Sequence, residues 1–445
     1  MNKHACSCAV PKAPLSFPGF EPVYEIPYLM GVDLGLNAVS DAGMIVDGPA
    51  CSVMKADFIE GNHDLCSTLL SEAGQHRIMC TGRPPVNPDR NPEKQITGIV
   101  ESAAGCGHYS VLLLSALPFL KITGLDHEGL VGGMKHGIPI EVIPANSLTG
   151  DWLDGYEELL DAMARALPAG KRFPEKKKRS AAVIGYMMDR CEADHEANLA
   201  ELKRLLDFAG IELLSVWPSG GTFAELSRAA GAELLISLPY GRKAARTLAK
   251  KFGSKVVETG LPMGLNGTRA WLSAVCRAAG LADRLPESYL AEEQRAAAAI
   301  APAFSVLAHK RALFCGDPYL YTAFAAFAAE LCMRPSLALL NAAPRELELP
   351  EKPQVMLFRP MLSEARRTLR ELGARARPDL AVLNSFAISG ALAGGTPFIE
   401  LGFPSFGHHC LAPEPFLGLA GACFLASRLF NCVVERRNSE QRELI

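Results

Sequence analysis

From residue 180 onward the chain alternates short apolar runs with amphipathic stretches, and this alternation limits the folds open to it more than any other feature. Ala181-Ala-Val-Ile-Gly185 is a continuous apolar run ending in glycine, the pattern of a strand buried on both faces of a parallel sheet. Glu192 to Phe208 follows, with Leu199, Leu202, Leu205 and Leu206 at helical spacing. Ile211 to Val216 then reads as strand, Thr222 to Ala230 as helix and Leu234 to Ser237 as strand. Lys243 to Phe252, Lys255 to Val257 and Thr268 to Ala279 continue the series. Strands that alternate with helices in this way build a parallel sheet covered by helices on both sides.

The same grammar recurs on either side. Toward the C-terminus, Ala312 to Cys315, Ser336 to Leu340, Gln354 to Phe358 and Leu380 to Leu383 are expected strands, with helices over Tyr319 to Cys332 and Leu362 to Leu372. Toward the N-terminus, Gly43 to Val46, Val111 to Ser115 and Ile138 to Ile143 read as strands and Trp152 to Leu167 as a helix. Pro168 to Arg179 carries two prolines, a glycine and six basic residues; it reads as an exposed connector rather than a packed element. A chain of 445 residues exceeds what one core organises. The expectation is three α/β units with doubly wound, Rossmann-like parallel sheets, spanning 1–170, 180–283 and 284–445.

The net charge of −3 gives no electrostatic footing for nucleic acid. Met1 to Pro14 lack the basic start and apolar stretch of a secretion signal. The greasiest runs, Val111 to Leu120 and Phe416 to Ala426, fall short of the ~20 residues that span a bilayer. A cytoplasmic protein with no membrane or nucleic-acid partner is expected. Gly170-Lys-Arg172 and Gly253-Ser-Lys255 lack the loop and hydroxyl of a phosphate-binding motif, and the dinucleotide fingerprint is missing. This chain is therefore not expected to bind ATP.

Thirteen cysteines, an odd number, argue against a closed disulfide framework. Cys276, Cys315, Cys332, Cys423 and Cys432 lie among Ala, Leu and Phe and read as core fillers. Cys191 reads as a helix-start position. Cys6, Cys8, Cys51, Cys66, Cys80, Cys106 and Cys410 are left as candidates for chemistry. In Met44-Ile-Val-Asp47-Gly48-Pro49-Ala50-Cys51-Ser52 a tight turn follows a buried strand and places Cys51 near a helix N-terminus. The backbone N–H groups and dipole there favour thiolate, the metal-binding form; a plain loop cysteine is the other reading. In His408-His409-Cys410 adjacent side chains of an extended loop face opposite ways, so at most two of the three can share a metal.

The turn Asp47-Gly48-Pro49 closely followed by Cys51 resembles the signature of nitrogenase component 1 subunits and their relatives. Asn91 to Glu101 is similar to the helix after that family's second strand. Leu114-Ser-Ala-Leu117-Pro118 and Ile122-Thr-Gly124-Leu-Asp126 are similar to its Ser-Thr-Cys-Pro strand end and the turn beyond. Pro144 to Gly150 with Gly155-Tyr156, and Ser219-Gly220-Gly221-Thr222-Phe-Ala-Glu225-Leu226, resemble further family turns into helices. Thr396 to Ser405, His408-His409 and Phe416 to Ala422 resemble the third domain's substrate-side loop and final helix.

The resemblance implies the component 1 fold of three doubly wound domains, but the ligand set departs from the family's fullest form. Of three family cysteine positions, the first falls near Glu25 to Leu29, which has no cysteine, and the third is Leu117. Only Cys51 remains, and one thiolate cannot hold an iron–sulfur cluster that needs about four ligands. By resemblance to one-cysteine subunits, Cys51 would be one metal ligand of an iron–sulfur cluster (4Fe-4S or larger) shared with a homologous three-cysteine partner in a heterodimer or heterotetramer. A separate ATP-dependent iron–sulfur reductase would supply electrons. His408 and His409 would contact cofactor, substrate or partner. The other expectations left open are a non-catalytic cofactor-assembly scaffold, a cluster-free protein that kept the fold, and ligation by Cys6, Cys8, Cys66 or Cys80.

Overall fold

The computed structural model describes residues 26–69, 76–84, 91–134, 137–168, 175–281, 284–372, 377–389, 392 and 395–442. Cys6 and Cys8 lie outside these residues.

Three parallel sheets organise the chain. The first comprises β1 (Ala42–Asp47), β2 (Ile78–Cys80), β3 (Val111–Ala116) and β4 (Ile140–Val142), in the order β2-β1-β3-β4. Its helices are α1 (Tyr28–Asn37), α2 (Cys51–His63), α3 (Pro92–Gly105), α4 (His127–Gly132) and α5 (Trp152–Ala166). The second sheet repeats that order as β6-β5-β7-β8, from β5 (Lys177–Ile184), β6 (Glu212–Trp217), β7 (Ala232–Ser237) and β8 (Lys255–Glu258). It is flanked by α6 (Ala193–Phe208), α7 (Phe223–Ser227), α8 (Arg242–Phe252) and α9 (Gly264–Ala278). After α10 (Glu287–Ile300) and α11 (Phe304–Leu307), the third sheet runs β11-β10-β9-β12-β13. Its strands are β9 (Arg311–Gly316), β10 (Arg334–Leu340), β11 (Val355–Phe358), β12 (Leu380–Leu383) and β13 (Phe398–Glu400), with α12 (Pro318–Glu330) and α13 (Leu362–Glu371) among the covering helices. Every strand pairing is parallel.

The central strands β1, β3 and β12 are buried along their whole length, which is why continuous apolar runs located them. In each sheet the strand order reverses beside the first strand, so the crevice beyond the strand C-termini opens there, the place where such sheets bind ligands.

Several expectations need correction. Lys177 to Arg179, read as connector, form the exposed start of β5, and the Lys176 ammonium bonds Ala230 O (2.6 Å) and Ser254 Oγ (2.8 Å). Cys332, read as core, is exposed and adopts φ +56° just after α12. From Gly418 on, the run at Phe416 to Ala426 lies in a longer helix, Gly418–Arg442, in which an 18-residue window has mean hydropathy 1.3. Length and composition would allow it to cross a membrane. Here it packs against α6, α9 and α10 through Leu419, Ala422, Leu425, Ala426, Leu429 and Val433, as a core helix does.

Helix α1 was missed because it is buried on every side and shows no amphipathic period. It crosses α5 so closely that a Cβ on Gly31 would lie 1.6 Å from the Trp152 carbonyl oxygen. Helix α5 is capped by Asp151, which with Asp154 forms a reciprocal capping box. Asp151 also pairs with Arg345 (3.0 Å), tying the first sheet's layer to the loop after β10.

Candidate functional site

Two places at strand C-termini gather chemistry. The first is the turn after β1. Gly48 has φ +148°, and a Cβ there would stand 2.5 Å from Leu117 Cδ1, so only glycine fits beneath that side chain. Gly48 N–H donates to Thr81 Oγ1 (2.9 Å) and Leu117 N–H to Asp47 O (3.0 Å). The turn delivers Cys51 as the first residue of α2, exposed to solvent. Met54 and Phe58, three and seven residues on and thus on the same helical face, are 73% and 64% exposed. An exposed thiol is therefore flanked by an exposed apolar stripe.

Behind the turn lies a buried ionic cluster. Asp47 accepts from Arg83 Nη1 (2.7 Å) and Thr81 Oγ1 (2.9 Å), and His127 Nε2 lies 3.0 Å away. Burial alone would raise the Asp47 pKa; the bonds from His127 and Thr81 and the Arg83 charge outweigh it and hold the carboxyl below its ordinary range.

Leu117, at the third family cysteine position, is buried and packs on the same turn. Tyr28 and Leu29, near the first position, are buried in α1. Cys66 lies in the loop after α2, Cys80 ends β2 and Cys106 follows α3. Among the described residues, the metal-ligating groupings of three include none of Cys51, Cys66, Cys80 and Cys106. The chain thus offers an iron–sulfur cluster one accessible cysteine sulfur at this turn, which fits one ligand and not a set.

The second place is a narrow, partly open cavity where the strand ends of the second and third sheets meet α2 and α5. It encloses about 40 Å³, room for roughly three waters. The loop after β5 supplies Asp189 and Arg190, and the first turn of α6 supplies Asp194 and His195. His195 Nε2 lies 2.7 Å from Asp189, and Tyr186 Oη contacts its Nδ1 at 2.8 Å. Burial would lower the His195 pKa, but Asp194 and Asp189 prevail and raise it. Burial would likewise raise Asp189, yet His195, then His63 and Arg190, hold it far below the usual carboxylate range. Asp317, just past β9, accepts from Tyr240 (2.9 Å) and caps α12; burial pushes its pKa up to about 6.

His408 and His409 do not line this cavity, and they part company. His409 Nδ1 meets Glu192 at 2.7 Å. His408 turns to the side of Cys410 and Glu414, and its pKa is lowered by burial and by Arg428 and Arg190. The structure therefore does not bring Cys51 together with either histidine's loop as one ligand set. Sequence reading had passed over Asp189, Asp194, His195 and Asp317. The signal available was position alone: Asp317 directly follows Gly316 at the end of β9, and the other three follow Ile184-Gly185 at the end of β5.

The family model for nitrogenase component 1 type oxidoreductases matches residues 93–433. A light-independent protochlorophyllide reductase subunit of Acidiphilium rubrum is 28% identical over 314 residues, 68% of this chain and 60% of that protein. The nitrogenase molybdenum-iron protein beta chain of Frankia alni is 24% identical over 363 residues, 73% of this chain and 67% of that protein. The matched stretch thus spans about three fifths to two thirds of these relatives. The structure of nitrogenase Cp1 at pH 6.5 superposes with a TM-score of 0.77 at 16% identity, covering 97% of this chain and 96% of that one. Three doubly wound α/β domains in this arrangement are the nitrogenase component 1 fold, and the match over most of its length places the chain in the nitrogenase component 1 type oxidoreductase family.

Proposed function

We propose that the chain is one subunit of a nitrogenase-like reductase complex and that Cys51 supplies a single ligand to an iron–sulfur cluster shared with a homologous, three-cysteine partner. The observation that carries this reading is the exposed Cys51 thiol at the start of α2, set in an exposed apolar stripe of Met54 and Phe58. A docking partner would cover that stripe and exclude water from the Cys51 sulfur. The Asp47–Arg83–Thr81–His127 cluster fixes the turn from behind, so the thiol is presented from a rigid base. When bound, such a cluster supplies one-electron transfer. Electrons would come from a separate ATP-dependent iron–sulfur reductase.

The test is anaerobic co-expression with the homologous partner, followed by iron and sulfide analysis and the visible spectrum. The lone chain should carry no stable cluster, and the complex should. Cys51→Ser should melt within about 1 kcal/mol of the parent and still pair, but lose or weaken the cluster, since serine oxygen is a poor soft-metal ligand. Full iron in the Cys51→Ser complex, or a stoichiometric cluster in the lone chain, would overturn the reading. Turnover against mere storage of a cofactor precursor then separates enzyme from scaffold.

A further inference from the structure

We propose that His408, Cys410 and Glu414 form a mononuclear site for a borderline-soft divalent cation of the zinc class, within this chain and apart from Cys51. The loop after β13 carries all three. His408 and Cys410, two apart in extended chain, face one side, while His409 faces the other and is held by Glu192.

One ligand atom from each residue lies within 4.8 Å of the other two. His408 Nε2 stands 3.5 Å from Cys410 Sγ and 3.8 Å from Glu414 Oε2. Tetrahedral zinc, with bonds near 2.0–2.1 Å to nitrogen, 2.3 Å to sulfur and 2.0–2.2 Å to oxygen, would require N···S of about 3.6 Å and N···O of about 3.4 Å. The first spacing is already met. The second closes with a small rotation of Glu414, whose side chain is 37% exposed.

The loop is held in place by other bonds than these. Arg190 Nη1 donates to His408 O (2.7 Å), Cys410 N–H to Glu192 Oε2 (2.8 Å) and Ala193 N–H to Cys410 O (3.2 Å). Arg190 Nη2 lies 3.6 Å from Cys410 Sγ, an unfavourable neighbour for a cation were it uncompensated. It is paired with Asp194 (2.5 Å) and lies 3.5 Å from Glu192, so its charge is answered locally. A thiolate and a carboxylate neutralise a divalent ion. The sulfur and nitrogen donors exclude magnesium and calcium, which take oxygen. Glu414, Arg190 and Arg428 also line the interdomain cavity, so the fourth position opens toward it. The Arg428 guanidinium there favours water or a small anion as the fourth ligand. Three protein ligands and one open position is the pattern of a reactive rather than a purely structural zinc site.

The test uses the full chain, stripped with chelator and titrated with Co²⁺ as spectroscopic probe, then with Zn²⁺ as competitor. One equivalent of Co²⁺ should give a thiolate-to-cobalt charge-transfer band in the near ultraviolet, with visible bands of tetrahedral intensity, and Zn²⁺ should abolish both. Cys410→Ser should lose the sulfur band. Glu414→Gln should keep the band with affinity roughly tenfold or more weaker. Cys66→Ser should titrate like the parent. Should Cys410→Ser fail to fold, Glu414→Gln alters only a part-exposed carboxylate and carries the test. Cobalt bound without a sulfur band, a band that survives Cys410→Ser, or a Glu414→Gln variant that titrates like the parent would each overturn the site. No outcome depends on cluster binding at Cys51, so the two readings fail separately.

Discussion

Replacing Asp47 by asparagine tests the ionic support of the Cys51 turn, because it removes one charge and little volume. Asp47 and Arg83 are both almost fully buried, with Oδ2 and Nη1 2.7 Å apart. At an effective dielectric constant near 20, unit charges about 3 Å apart attract by roughly 5 kcal/mol. Removing one partner of a buried pair costs about 3–5 kcal/mol, because the other charge stays buried and uncompensated. Arg83 is poorly placed to recover, since its Nε and Nη2 have no hydrogen-bond partner among the described residues. Asp47→Asn should therefore lower the melting transition of the first α/β unit by roughly 10 °C, at about 2–4 °C per kcal/mol for a unit of this size. Circular dichroism melts and urea unfolding read the effect. The sign with pH follows from the lowered Asp47 pKa. The stabilisation is present above the ordinary carboxylate pKa of about 4 and is lost as pH falls through the lower, folded-state value. The gap between parent and variant should be full at pH 7 and narrow in acid. Adding Arg83→Met should restore much of the loss. A variant within about 1 kcal/mol of the parent at pH 7, or a gap that does not narrow in acid, would refute the reasoning.

Two further outcomes follow from packing and burial. Gly31→Ala would place a Cβ 1.6 Å from the Trp152 carbonyl oxygen, so α1 and α5 must separate; a loss of about 3 kcal/mol or more is expected, and a melt unchanged within about 1 kcal/mol would contradict it. Asp317 has its folded pKa raised to about 6 by burial, so the folded state holds a proton that the unfolded chain has released between about pH 4 and pH 6. Parent stability should fall across that window by up to roughly 3 kcal/mol and then level off, whereas Asp317→Asn, which can still cap α12, should lack that component in a pH series of urea unfolding curves.

The elements legible in the sequence were those whose burial leaves a mark on local composition. The expected strands at Gly43 to Val46, Val111 to Ser115, Leu234 to Ser237 and Leu380 to Leu383 fall within β1, β3, β7 and β12, all buried between two layers of helix. Elements without such a mark were passed over. Helix α1 is apolar on all sides, and β2 and β13 have three residues each, too few to show a period. The polar start of β5 follows the sheet's hydrogen-bond ladder rather than its own side chains. Cys332 lies among apolar neighbours in sequence but is turned outward by its left-handed backbone. The place of Cys51 at the start of α2 could be read because Gly48-Pro49 announces the turn that carries it. The Asp189–His195–Tyr186 cluster could not, because the loop after β5 and the first turn of α6 converge on it only when folded.

One element joins the two places where chemistry gathers. Helix α2 begins at Cys51 on the surface and ends at His63 in the cavity wall, a rigid span of about 18 Å at 1.5 Å per residue. His63 Nδ1 accepts from Ser405 N–H (2.9 Å), and its Nε2 lies 3.7 Å from Asp189. Ser405 Oγ in turn bonds His408 O (3.2 Å). A partner seated on Met54 and Phe58, as proposed, would press on the same helix whose far end holds the loop of His408, Cys410 and Glu414. Close-packed helices move as units rather than bend within a few turns, so an axial or rotational shift of α2 on docking would reach His63 almost undiminished. The exposed thiol and the loop of His408 thus stand at the two ends of one helix although they share no ligand.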